Sequence, residues 1–109
     1  MSKEIKDGFD KQGRVDLKQV LGSRLSGIYE RERAKSKNIQ GGKELTLAEV
    51  AERCLCSQRT VERMVSCVGP LPNIYNLCMF YEALNVSPEE QMDIQQDITR
   101  FVRTYVEGE

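Results

Sequence analysis

Apolar residues recur along this chain at helical rather than strand spacing. From Asp16 they fall at Leu17, Val20, Leu21, Leu25 and Ile28, steps of three, one, four and three that trace one face of a helix. That helix is expected to run to Arg33 or Ala34 and to dissolve into "KSKNIQGGKE", where Asn38, Gly41 and Gly42 permit a flexible turn. In "LTLAEVAERCL", Thr46 and Glu49 stand at the spacing of a capping box, with Leu47, Val50, Ala51 and Cys54 facing inward. Leu55 and Cys56 then turn the chain. Ser57 caps a further short helix, "QRTVERMVS", whose buried side is Val61 with Met64 or Val65.

Gly69, Pro70 and Pro72 interrupt the helical pattern before "NIYNLCMFYEALN", whose apolar stripe reads Ile74, Leu77, Cys78, Tyr81 and Leu84. Asn85 closes that helix. "SPEE" opens the last one, with Ser87 as cap, Pro88 at the first helical position and Glu90 placed for a second capping box. Five amphipathic helices without a convincing strand predict an all-α domain, because each apolar stripe needs helical partners. Residues 1–14, with Gly8 and Gly13, read as a flexible arm, and residues 15–109 as one domain ending in a helix over 88–106.

Composition narrows the function. At 109 residues the chain suits a single core, and no apolar run approaches the ~20 residues needed to cross a bilayer, so no membrane role is expected. The polar opening "MSKEIKDGFDKQG" does not read as the apolar centre of a signal peptide, so the protein is expected in the cytoplasm with its cysteines reduced. The sequence holds no histidine, the commonest general base and metal ligand, and no nucleophile-base pair is recognisable, so no enzyme activity and no cofactor are expected. Cys54, Cys56, Cys67 and Cys78 do not follow a recognised metal-ligand spacing, and the default reading is four small hydrophobes.

Charge is uneven. Residues 1–43 carry eleven Lys/Arg against six Asp/Glu, while residues 44–109 carry five against eleven, so a polyanion would favour the first part. The bland account of "RERAKSKN" is a solvated helix end whose cations suit the helix dipole.

Two short helices joined by a tight turn are the substance of a helix-turn-helix, in which a small residue lets the helices cross and an apolar residue holds the second one down. Ala51 and Val61 fill those two places. Residues 45–90, through "LT..EVA", "S..TVER", Pro72 and "LCMFYEALNVS", resemble the lambda-repressor/Cro-like, or Xre-type, helix-turn-helix family. The resemblance implies a five-helix lambda-repressor-like bundle with an extended C-terminal helix. Leu55 stands where the family usually has glycine, so the turn must avoid a left-handed conformation or accept strain there.

The same resemblance implies a transcriptional regulator, a repressor of phage or bacterial origin, that binds double-stranded DNA with the helix after Ser57 in the major groove. Gln58, Arg59, Thr60, Glu62 and Arg63 are then the candidates for base contact. Lys43, Ser57, Ser66 and Asn73 are candidates for phosphate contact. Between Thr46 and Ser66 acidic and basic residues cancel, so one copy should hold DNA weakly, and a homodimer on a palindromic operator is expected. Ile94, Ile98, Phe101 and Tyr105, at steps of four, three and four, offer a dimer seam; folding back over the core is the equally weighted intramolecular use of the same stripe. The rival expectation is a protein-interaction module on an Xre-like fold, antitoxin-like or a polymerase-associated adaptor.

Overall fold

The computed structural model describes residues 12–39 and 42–107. Among these residues there are five helices and no strand: α1 (Arg14–Asn38), α2 (Leu47–Cys54), α3 (Gln58–Met64), α4 (Ile74–Ala83) and α5 (Pro88–Glu107). The expected arm at 1–14 lies outside the described residues except for its last three positions. No helix is long and apolar enough to cross a membrane among the described residues.

α1 is longer than the sequence pattern suggests. Its last turns are carried past Ala34 by local polar contacts: Arg33 pairs with Glu30 at 3.1 Å and Lys35 with Glu32 at 3.2 Å. Lys35 and Lys37 sit at the negative end of the helix dipole. The following segment is also more anchored than a flexible turn. Ser36 Oγ donates to Arg33 O at 2.8 Å and accepts from Leu45 N at 2.8 Å, and Tyr29 OH donates to Leu45 O at 3.0 Å. Residues 42–46 are thereby tied back onto α1, and Gly41 lies outside the described residues.

The core forms where α1 meets the short helices. Leu21, Leu25 and Ile28 of α1 close over Val50, Ala51 and Cys54 of α2, Val61 and Met64 of α3, and Phe80, Tyr81 and Leu84 of α4, all buried. α2 packs on α3 and α4, while α5 packs along α1 and contributes Ile94 to the same cluster. Leu17 and Val20, expected on the buried face of α1, are only partly covered, and the position that completes that face is Lys18.

α4 keeps Leu77, Tyr81 and Leu84 turned to the core as expected, but departs from the expected stripe at three positions. Ile74, at 73% exposure, and Cys78 face out, while Phe80, absent from the expected stripe, is completely buried. Leu71 ahead of the helix packs against the core and Val86 behind it is buried in it, while Ile74 in the first turn is left to solvent.

The helix boundaries are closed by short-range hydrogen bonds. Thr46 and Glu49 form the full capping box, with Glu49 N donating to Thr46 Oγ1 at 3.1 Å. Ser57 Oγ accepts from Thr60 N at 3.1 Å, Asn73 Oδ1 from Asn76 N at 2.7 Å, and Ser87 Oγ from Glu90 N at 3.1 Å. The last of these is half of the expected box, because both oxygens of Glu90 are turned to Arg31 at 2.9 Å.

Candidate nucleic-acid interface

The corner between α2 and α3 is three residues, Leu55, Cys56 and Ser57. Leu55 adopts φ 58°, ψ 42°, the left-handed region, which closes α2 by letting Cys56 N donate to Ala51 O at 3.1 Å. Of the two alternatives open for this turn, the chain takes the strained one. The leucine side chain gains no burial in return, being 77% exposed. The conformation costs an L-residue about 1–2 kcal/mol relative to its right-handed setting.

α3 has one wholly buried edge, Val61 and Met64, so its remaining side chains point outward by helical geometry. Gln58, Arg59, Glu62 and Arg63 are exposed and Thr60 is half-buried. They are not equivalent. Gln58 Nε2 donates to Glu62 Oε2 at 3.0 Å, so these two occupy each other. Thr60 Oγ1 lies 2.9 Å from Ser57 Oγ. Among the described residues no ion pair or hydrogen bond engages the guanidinium of Arg59 or Arg63, which leaves two such groups one helical turn apart and ready for an external acceptor.

Three of the expected contact residues, Thr60, Arg63 and Asn73, line one depression of about 230 Å³ together with Leu71 and Pro72. Gln58 belongs to a different depression, beside Glu49 and Glu52 of α2, where the acidic lining opposes a phosphate. The residues expected to hold phosphates have structural duties. Ser57 and Asn73 cap α3 and α4, and Ser66 Oγ accepts from Val68 N at 3.1 Å. Asn73 keeps its amide NH2 for other partners. Lys43 is exposed and lies well before this corner in the chain, in the segment that returns from α1.

The neighbouring arginine is committed elsewhere. Arg53 donates to Ala83 O at 3.3 Å, across to the end of α4. Cys54 is buried, and burial pushes its thiol up to about 11, with the adjoining Cys56 adding to the effect. Burial raises Cys56 as well. Protonated thiols of this kind are poor nucleophiles and poor ligands. Cys67 and Cys78 are exposed, which for Cys78 departs from the buried place expected of it. Among the described residues no three side chains of the His, Cys, Asp and Glu types are gathered to hold a metal.

The stripe on α5 divides. Ile94, at 1% exposure, belongs to the chain's own core and is withdrawn from any dimer seam, and Ile98 packs against that core. Further along, Phe101 and Tyr105 are half-buried with ring centroids 5.6 Å apart and Val106 is exposed, as is Met92 ahead of Ile94.

No family model, curated protein or solved structure matches this chain. What it does rests on the side chains themselves.

Sequence reasoning passed over one residue of this region. Lys18 of α1 donates from Nζ to Arg63 O at 2.7 Å and also to Ser66 O, at the exit of α3. Its signal was present in the letters, since position 18 continues the 21, 25, 28 stripe toward the N-terminus. A lysine there reads as a boundary of the apolar face unless an acceptor is known to lie opposite.

Proposed function

We propose that this chain is a DNA-binding transcriptional regulator of the lambda-repressor/Cro-like kind, with α2, the corner and α3 as its helix-turn-helix. The observation that carries the reading is the state of α3: its inner edge is locked by Val61 and Met64, while the guanidinium groups of Arg59 and Arg63 stand exposed and unengaged among the described residues. A short helix held on one side with two free guanidinium groups on the other suits bidentate contact with guanine edges, each worth about 1–3 kcal/mol of discrimination. Gln58 and Glu62, joined to each other, would have to part before reading adenine or cytosine. Ser57, Ser66, Asn73 and Lys43 supply register, and a homodimer on a palindromic operator supplies the affinity that the balanced local charge withholds. With Ile94 committed to the core, the dimer contact falls to the distal part of α5, at Phe101 and Tyr105.

The test is enrichment of random duplexes by the purified chain at moderate salt, beside Arg59→Ala and Arg63→Ala. One sequence motif should emerge, with each variant weakened about tenfold and its preference relaxed at the position that it reads. An unenriched pool, or variants that retain the same sites at the same affinity, would sink the reading.

A second reading has its own support. Glu49, Glu52 and Glu62 crowd the α2–α3 face, and Leu55, Ile74 and Tyr75 are exposed apolar groups, as suits a module that holds another protein. Retention of a protein partner by the Arg59→Ala, Arg63→Ala double variant, with no DNA enriched by the wild type, would favour it.

A further inference from the structure

Helix α3 is seven residues long, too short to hold its own direction, so its orientation is set by whatever grips its ends. At the N-terminal end that is Ser57. At the C-terminal end it is α1, at three neighbouring positions. Lys18, 1% exposed, places its ammonium against the carbonyls of Arg63 and Ser66. Gly22 lies one turn further along, where a Cβ would overlap the Ser66 carbonyl, so the two backbones touch. Ser23 Oγ then meets Cys67 Sγ at 3.4 Å.

A cation at the exit of a helix matches the negative pole of its dipole and satisfies carbonyls that the helix leaves open. Burial is nevertheless unfavourable for an ammonium, and lowers the Lys18 pKa from its ordinary value. An apolar residue of the same length would fill the space without that penalty. What it could not do is fix the position of two particular carbonyls, one of which belongs to Arg63 itself.

We propose that Lys18 is a positioning residue for recognition: through the Arg63 and Ser66 carbonyls it sets the tilt and roll of α3, and hence where Arg59 and Arg63 meet base edges. The proposal rests on the DNA-reading function above. Lys18 makes no contact with DNA in this scheme, since its ammonium is sealed inside the protein. Removing it therefore leaves the count of phosphate-facing cations unchanged.

The experiment compares the full chain with Lys18→Met, below the melting temperature of both. Each is titrated with the enriched duplex and with a scrambled duplex over a range of salt. Positioning predicts that Lys18→Met loses about tenfold or more in affinity for the enriched duplex, the scale of one misplaced base contact. Affinity for the scrambled duplex should change by less than about twofold, with an unchanged salt slope. A purely structural lysine would leave the ratio of the two affinities where it was, and that result overturns the inference while the DNA reading stands. If the wild type enriches no sequence, both fall together. Should Lys18→Met fail to fold, Gly22→Ala is read in the same way, because it displaces the exit of α3 without touching any charge. A folded Gly22→Ala chain with the wild-type ratio would equally overturn the inference.

Discussion

The corner unit, α2 to α4, and the long pair, α1 and α5, are held by different forces. Within the corner unit the contacts are apolar burial and backbone caps: Val50, Val61 and Phe80 are fully covered, and Thr46, Ser57 and Asn73 close the helix starts. The long pair shares a buried line through Leu21, Leu25, Ile28 and Ile94, but its edges are stitched by ions. Arg24 bonds Asp93 at 2.7 Å and also Asp97, and Arg31 bonds Glu90 at 2.9 Å. Burial responds to volume and caps to geometry, whereas exposed ion pairs respond to pH and salt. The two regions should therefore fail under different stresses.

The largest break is expected at Phe80. Truncation to alanine empties the centre of the corner unit and should cost about 3–5 kcal/mol in urea unfolding, enough to leave much of the chain unfolded at room temperature. A loss under 1 kcal/mol would mean that the site collapses freely and that the corner is less tightly packed than its burial implies.

Next comes the joint between the regions. Gly22→Ala drives a methyl group into the Ser66 carbonyl and should cost about 1–3 kcal/mol. Gly27, on the same helix, has open space at its Cβ position, so Gly27→Ala should instead stabilise by about 0.5–1 kcal/mol. Opposite signs for two identical substitutions five residues apart are the expected result, read as melting temperatures. Equal signs would separate the helix contact from the measured stability.

Two helix ends supply a finer contrast. α2 and α4 stop by the same device, with Cys56 N donating to Ala51 O at 3.1 Å and Val86 N to Tyr81 O at 2.9 Å. Both place a left-handed residue at the stop, Leu55 at φ 58° and Asn85 at φ 53°. Asparagine tolerates that region and leucine does not. Leu55→Gly should raise stability by up to about 1 kcal/mol, the relief of strain less the extra freedom of an unfolded glycine, and Asn85→Gly should do less. A destabilised Leu55→Gly chain would show that the exposed leucine makes a contact worth more than its strain.

The smallest effect belongs to the ion pairs. Glu90→Gln should cost no more than about 1 kcal/mol at neutral pH and low salt, and less as salt rises. The hydrogen bonds from Arg31 hold the Glu90 carboxyl below its ordinary value of 4.5. Unfolded chains thus take up the proton first, and the pair's contribution is complete above that value and lost as pH falls through the lower folded value. The wild type should lose its advantage over Glu90→Gln in that window, and an advantage that persists at pH 2 would assign the stability to something other than this pair.

What could be read from the letters follows the same division. The caps at Thr46, Ser57 and Ser87 were legible because a cap and its partner lie three residues apart, as were Val50, Ala51 and Val61 through local periodicity. The outward place of Ile74 and Cys78 and the burial of Phe80 were not, because they depend on how α4 meets the rest of the core. Glu90 illustrates the limit well. Its spacing from Ser87 fits a capping box, but an arginine 59 residues away takes both oxygens. Among the candidate contact residues, exposure of Arg59 and Arg63 was foreseeable from the helix face, while the mutual bond of Gln58 and Glu62 and the duties of Ser66 and Asn73 needed three dimensions.

Lys18 also gives the chain an internal chemical clock. Lys35, Lys37 and Lys43 are exposed and should acylate at once with an amine-directed reagent, whereas Lys18 is sealed. Its modification must wait for α1 to lift from the exit of α3, so the lag between Lys35 and Lys18 in a timed labelling experiment measures how often that joint opens in the native protein. A bound ligand that clamps α3 would lengthen the lag without touching the lysine.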